Sequence, residues 1–125
     1  MVQQGSGSSA IWWKTGAILG ALGVLLGAFG AHGLENIASP QGLEHWDTAS
    51  QYQLVHALAL LGVAAHPGRP KWAGRLFVLG IVLFSGSLYL YALTGISRLG
   101  MITPLGGLSL IAGWIALART PLSRG

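Results

Sequence analysis

Cysteine is absent from this 125-residue chain, and acidic residues number only three. Without thiols the chain can form no disulfide, no thiolate metal site and no cysteine nucleophile. Charged residues make up 8% of the sequence, whereas soluble domains usually carry about 25%. Hydrophobic residues make up 52%. This composition excludes an ordinary soluble domain and indicates a protein of one domain that sits in lipid.

The scarcity of charge also excludes several function classes. The seven basic residues are too few and too dispersed to track a phosphate backbone, which argues against nucleic-acid binding. All three carboxylates lie outside the long apolar runs, so no membrane-embedded carboxylate is present for an ion pump. The chain has no Ser/His/Asp nucleophile arrangement, and its glycine-rich runs lack the lysine and the strand of a phosphate loop. We therefore predict that the protein is not an enzyme and carries no cofactor.

Glycine, by contrast, is abundant and regularly spaced between Gly16 and Gly33. The spacings of four, three, four and three residues place these glycines on one face of a helix. In a bilayer such a face lets a neighbouring helix approach closely. Small residues near the end of the chain repeat the pattern. We predict two glycine-zipper seams for helix packing: Gly16, Gly20, Gly23, Gly27 and Gly30 in the first, and Gly106, Ser109 and Gly113 in the second.

Four stretches free of Asp, Glu, Lys and Arg follow Lys14, and each is 20 to 22 residues long. A helix needs about 20 residues to cross ~30 Å of hydrocarbon. The runs do not alternate as β-barrel strands do, and they lack the polar face of a soluble bundle. The sequence therefore predicts an all-α integral membrane bundle of four transmembrane helices, one domain over residues 11–119. The expected spans are about 15–33, 48–66, 73–95 and 103–119, with helix two starting near residue 40 after the capping pair Ser39 and Pro40. Span four is expected to start similarly, with Thr103 as the cap and Pro104 at the first helical position.

Both ends of the chain are expected to lie outside this domain. Residues 1–10 are small and polar without an apolar period, which favours a flexible tail, and residues 120–125 form a short C-terminal tail. The residues from Ile11 to Lys14 supply two indoles and a positive charge, as at a membrane interface. A cleaved signal peptide is the alternative interpretation of the first 30 residues, although a basic n-region is nearly absent.

The basic residues predict the orientation of the spans. Six of the seven lie at span ends on one side of the membrane, whereas Arg98 lies on the other side with every carboxylate. Because cytoplasmic loops are enriched in lysine and arginine, we expect both termini in the cytoplasm.

Polar residues interrupt the predicted spans at similar depths. A rise of ~1.5 Å per residue places His56 ~14 Å from the inner end of its helix, near the middle of the bilayer. Hydrocarbon offers no partner, so such side chains must find one inside the bundle. We interpret the layer as structural, with neutral His56 bonded to a serine or a backbone carbonyl of span three; a proton relay or ligand contact through His56, Gln51 and Tyr89 is the alternative. The predicted buried polar layer contains Gln51, Tyr52, His56, Ser85, Ser87 and Tyr89.

A second polar cluster is expected at the outer surface. Imidazoles and carboxylates at one level can hold a divalent metal, and His32, His45 and Asp47 come closest to such a set. We nevertheless predict no metal, because no compact ligand motif is present, and expect an acidic cap in which Arg98 pairs with a carboxylate. The outer cluster contains His32, Glu35, Glu44, His45, Asp47 and Arg98.

Four ordered motifs resemble those of a known family. They are GAFGAHGL (27–34), WDTASQYQLVHALALL (46–61), FSGSLYLYALTG (84–95) and ITPLGGLSLIAGW (102–114). Over nearly its whole length the chain is similar to the domain-of-unknown-function 423 family, which includes the bacterial YgdD-like inner-membrane proteins and the eukaryotic transmembrane protein 256. The resemblance implies a small multi-span protein, of the inner membrane in bacteria, and supplies no catalytic residue.

Two main function classes remain. The first, which we favour, is a structural or accessory membrane protein whose seams pack within the bundle or against a partner, as a homo-oligomer or in a larger membrane complex. The second is a small-molecule or ion transporter or sensor that uses the polar layer around His56, for which so short a chain would need an oligomer with a shared path. A membrane enzyme with an outer metal is a third class. The lipid bilayer itself is the partner that the composition indicates most directly.

Overall fold

The structure is a computed structural model that describes residues 7–122, and its regular elements within that range are all helical. They are α1 (Gly7–His32), α2 (Pro40–Ala65), α3 (Lys71–Thr94) and α4 (Thr103–Arg119). A π-helical turn, Ile81–Ser85, lies inside α3, and a 3-10 turn, Ser97–Met101, precedes α4. The predicted all-α class is confirmed for the described part of the chain.

The helices pack with α2 at the centre. α2 contacts α1 on one side and α3 on the other, and α4 packs against α3. This position explains why α2 buries ten residues, whereas in α1 only Gly16 and Gly23 are buried between Ser9 and His32. One apolar core lies toward the end of α2, around Leu60 and Phe77, and a smaller one lies around Leu34 near its start.

Among residues 7–122, three helical segments are long and apolar enough to cross a membrane: Ser9–His32, Lys71–Thr94 and Ser97–Arg119. The sequence prediction of apolar helices of spanning length is confirmed for these three. α2 has 26 residues, as many as α1, but it carries the polar residues Gln51, Gln53 and His56 among its apolar ones. These polar side chains lower the hydropathy of α2, and two of them, Gln53 and His56, are buried.

The predicted cap of α2 is present. Ser39 Oγ accepts a hydrogen bond from the backbone N–H of Gly42 at 3.0 Å, and Pro40 lies in the first turn. Proline suits this position because the first amides of a helix have no partner within it.

Two other helix starts differ from the sequence prediction. α1 begins at Gly7, so residues 7–10 are helical rather than part of a tail; the remaining predicted tail residues, 1–6 and 123–125, lie outside the described range. Thr103 begins α4 without capping it. Its hydroxyl lies 2.6 Å from Ser87 Oγ and is therefore used between helices.

Candidate functional site

The glycine seam of α1 lies against α2. A Cβ atom placed on Gly16 would lie 2.9 Å from the carbonyl oxygen of Ala57, and one on Gly23 would lie 2.8 Å from Leu54 Cδ2. Both distances are shorter than the roughly 3.5–4.0 Å of a favourable contact, so a side chain on Gly16 would press on the backbone of α2 and one on Gly23 would require Leu54 to move. The other seam glycines also face α2: Gly20 meets Ala57, Gly27 meets Ser50, and Gly30 meets the ring of Trp46.

The second seam lies against α3. A Cβ atom on Gly106 would overlap the backbone of Phe84 and lie 2.7 Å from its Cα. The other two members contact α3 as well, Gly113 through the ring of Phe77 and Ser109 through a 2.8 Å hydrogen bond from its hydroxyl to the carbonyl oxygen of Leu76. Both seams are thus occupied by helices of the same chain.

Gln53, which the predicted layer did not include, is the centre of the buried polar layer. Its side chain is 3% exposed. Its Nε2 donates to the carbonyl oxygen of Leu19 in α1 at 2.9 Å, and its Oε1 accepts from the hydroxyl of Tyr89 in α3 at 2.7 Å. A carbonyl can only accept, which fixes the orientation of the amide. One side chain therefore joins three helices.

A spacing signal for Gln53 is present in the sequence. Trp46, Ser50, Gln53, Ala57 and Leu60 are all buried, and their separations of four, three, four and three residues match those of the α1 glycines. Helices that pack closely present such stripes to each other. Reading the two stripes together would have placed Gln53 against α1.

Gln51 and Tyr52, which the sequence prediction assigned to the buried layer, are exposed. Gln51 Nε2 donates to Asp47 Oδ2 at 2.7 Å, and the Tyr52 ring lies 4.6 Å from that of Phe84. The prediction was wrong for these two residues, for Gln51 because it rested on depth and for Tyr52 although the residue shares a helix face with the buried Ala49 and His56. Depth along a helix does not determine which side of the helix faces the interior.

His56 is 4% exposed and both of its ring nitrogens are hydrogen-bonded. Nδ1 lies 2.7 Å from the carbonyl oxygen of Tyr52, and the indole N–H of Trp114 donates to Nε2 at 3.0 Å. An indole N–H can only donate, and a carbonyl can only accept. His56 is therefore neutral, with its proton on Nδ1. Its partners lie in α2 and α4, so the predicted bond to span three was wrong.

The two serines of the predicted layer are buried and bonded. Ser85 Oγ donates to the carbonyl oxygen of Ala49 at 2.7 Å, which ties the π-helical turn to α2. Ser87 Oγ donates to the carbonyl oxygen of Phe84 at 3.0 Å and also contacts Thr103 Oγ1. Within residues 7–122, no buried side-chain nitrogen or oxygen lacks a hydrogen-bond partner.

The predicted outer cluster is not assembled into one site. The His45 ring stacks on Tyr91 with a centroid distance of 4.7 Å, and Glu35 and Asp47 line a cavity of about 250 Å³ between α1 and α2. The remaining members, His32, Glu44 and Arg98, are exposed. Over the described range no three metal-ligating side chains share a site, and no ion pair joins Arg98 to a carboxylate.

Fold and site together define a class: a small protein whose described part has helices as its regular elements, three of them apolar enough to cross a membrane, with interior polar side chains bonded between helices. The chain belongs to the DUF423 family, a family of proteins of unknown function, whose profile matches residues 26–107. The resemblance inferred from the four motifs is confirmed.

Similar proteins are named as membrane proteins in several organisms. The UPF0382 membrane protein YwdK of Bacillus subtilis is 50% identical over 108 residues, which cover 82% of this chain and 88% of the relative. A UPF0382 membrane protein of Staphylococcus saprophyticus is 47% identical over 112 residues, 83% of this chain and 93% of the relative. One from Schizosaccharomyces pombe is 40% identical over 113 residues, with coverages of 84% and 96%. No solved structure matches the chain.

Proposed function

We propose that this protein is a non-enzymatic integral membrane protein, a structural or accessory component, and that all four of its helices cross the bilayer. The observation that carries the proposal is the hydrogen bonding of the interior: among the described residues every buried side-chain nitrogen and oxygen has a partner. Binding sites usually present polar groups that converge on a cavity. Here the amide of Gln53 and the imidazole of His56 are instead used between helices.

The crossing of α2 is supported by where its polar side chains lie. Polar residues are tolerated in membrane helices when they face the interior and find partners there, as Gln53 and His56 do. Its outward positions include apolar Val55 and Leu58, which are 52% and 68% exposed. α2 also lies between α1 and α3, both apolar enough to span. An α2 that lay on the membrane surface would lose its contacts with both.

We further propose that both termini lie in the cytoplasm and that the membrane is the bacterial inner, or cytoplasmic, membrane. The cations Arg69, Lys71 and Arg119 lie at helix ends that antiparallel helices bring to one side, Lys14 lies two turns into α1 on that side, and Arg98 lies at the other side. That asymmetry follows the positive-inside rule. The large apolar side chains exposed on α1, α3 and α4 then face lipid, or another copy or partner in a larger complex.

His56 variants separate the structural role from the transporter or sensor alternative. We expect His56→Gln to fold and to keep the phenotype that distinguishes wild-type cells from a deletion strain, because an amide can replace both hydrogen bonds. We expect His56→Leu to lose stability, since an interhelical hydrogen bond in a membrane protein contributes ~0.6 kcal/mol on average and up to ~1.7 kcal/mol. The measurements are thermal unfolding in detergent and growth of complemented cells.

A proton relay would give a different pattern, because an amide does not titrate near neutral pH as imidazole does. His45→Gln, which changes an imidazole outside the polar layer, is the matched control. A stable His56→Gln protein that fails to complement, while His45→Gln complements, would contradict the structural proposal and support the alternative.

A further inference from the structure

A basic cavity lies where α2 leads into α3 and where α4 ends. Its volume is about 420 Å³, and three of its lining residues are cationic: Arg69, Lys71 and Arg119. They come from two chain segments that are far apart in sequence. The positive-inside rule accounts for basic residues at this end of the bundle, but it does not require them to line one cavity.

No acidic side chain offsets these charges. All three carboxylates of the chain belong to the α1–α2 connection and the first turns of α2. The nearest along α2, Asp47, is separated from the end of that helix at Ala65 by ~27 Å of helix. At that distance the attraction between opposite charges is largely screened by salt. The three cations of the cavity therefore have no carboxylate side chain of the chain near them to neutralise their charge.

The backbone holds the two segments in fixed positions. A Cβ atom on Gly68 would overlap the carbonyl oxygen of Pro121, so the loop lies directly on the end of the chain that follows α4. His66 Nδ1 accepts a hydrogen bond from the Gly68 N–H at 2.9 Å. Arg69 has a φ of 55°, the one positive value at a non-glycine residue in the described range. Such conformations are uncommon for residues with a side chain and are often found at functional sites.

We propose that this cavity binds the phosphate group of an anionic phospholipid. Guanidinium groups match phosphate oxygens through paired hydrogen bonds, and basic pockets between membrane helices bind anionic headgroups. The site rests on the proposed membrane crossing, which puts these helix ends at headgroup level. Trp72 lines the cavity, is 61% exposed and stacks under Arg75 at 4.8 Å, as suits an interfacial indole.

Thermal unfolding of the full chain in uncharged detergent micelles tests the site. We expect phosphatidylglycerol to raise the unfolding temperature and phosphatidylcholine to leave it nearly unchanged. In the double variant Arg69→Gln/Lys71→Gln the apparent affinity for phosphatidylglycerol should fall about thirtyfold, which is ~2 kcal/mol at 1.4 kcal/mol per tenfold. The control Lys14→Gln/Arg98→Gln also removes two charges, but outside the cavity, and should keep the wild-type affinity.

Three outcomes would overturn the proposal. Equal losses of affinity in the two double variants would show a general charge effect. An unchanged affinity in Arg69→Gln/Lys71→Gln would show that the cavity does not bind the headgroup. A cavity-dependent shift produced equally by inorganic phosphate alone would assign the site to a soluble anion. If a variant alters the unfolding baseline, native mass spectrometry can instead count the phosphatidylglycerol molecules that the protein retains. None of these results depends on how many helices cross the membrane.

Discussion

Gly106→Ala is expected to destabilise the bundle strongly, because the added methyl group would meet backbone atoms of a neighbouring helix. The new Cβ would overlap the backbone nitrogen of Phe84 and lie 2.7 Å from its Cα and 2.8 Å from the carbonyl carbon of Leu83. These are backbone atoms of the π-helical turn in α3, which cannot rotate away as a side chain can. Overpacking of this kind costs about 1–3 kcal/mol, occasionally more. The measurement is thermal unfolding in detergent.

Gly62→Ala provides the matched control. Gly62 lies in α2, and a Cβ there would meet no atom within 4 Å. Because alanine favours helix over glycine by about 0.5–1 kcal/mol in water, this variant should be as stable as the wild type or slightly more stable. If Gly106→Ala unfolded at the wild-type temperature, α3 and α4 would not be packed as described.

Gln53→Leu is expected to have the second large effect. The change removes the hydrogen bonds to Leu19 and Tyr89 and leaves the Tyr89 hydroxyl without its acceptor between helices. Two interhelical bonds at ~0.6–1.7 kcal/mol each give a loss of about 1–3 kcal/mol. The half-buried Tyr89 hydroxyl, left without its acceptor, adds to that loss.

Gln51→Leu, the same substitution two residues earlier in α2, is the control. Gln51 is exposed, and its amide bonds Asp47 within the same helix. Gln51→Leu should therefore change the unfolding temperature little. Equal effects of the two variants would mean that the contacts of Gln53 between helices do not stabilise the bundle.

Periodicity and composition were sufficient to predict the helical class. The spacing of the α1 glycines placed them on one face, and in the structure that face lies against α2. A helix face that lacks side chains lets a neighbouring helix approach closely. The glycine spacing within α1 alone therefore indicates which face of α1 is suited to close packing.

The hydrogen-bond partners could not be read in the same way. Trp114 donates to His56 across 58 positions of sequence, and Gln53 bonds to a backbone carbonyl 34 residues away. Neither pair follows from spacing within one helix, because each depends on how separate helices are rotated about their axes. The π-helical turn at Ile81–Ser85 was also not predicted, since it depends on a local change in the hydrogen-bond ladder rather than on residue type.

Thr103 shows how tertiary contacts override a local signal. Threonine before proline is a common helix start, yet this hydroxyl pairs with Ser87 of α3 instead of a backbone amide of its own helix. Because Ser87 Oγ already donates to the carbonyl oxygen of Phe84, its contact with Thr103 gives the threonine hydroxyl a partner in another helix.

The central claim is that α2 crosses the membrane with its polar face turned inward, and labelling of single cysteines tests it most directly. The chain has no cysteine of its own, so Asn36→Cys, Pro67→Cys and Leu122→Cys each report one position. These residues are exposed. We expect a membrane-impermeant maleimide to label Asn36→Cys in intact cells, and to label the other two only after the cells are made permeable. Labelling of Asn36→Cys and Pro67→Cys from the same side would show that α2 does not cross and would contradict the four-span arrangement.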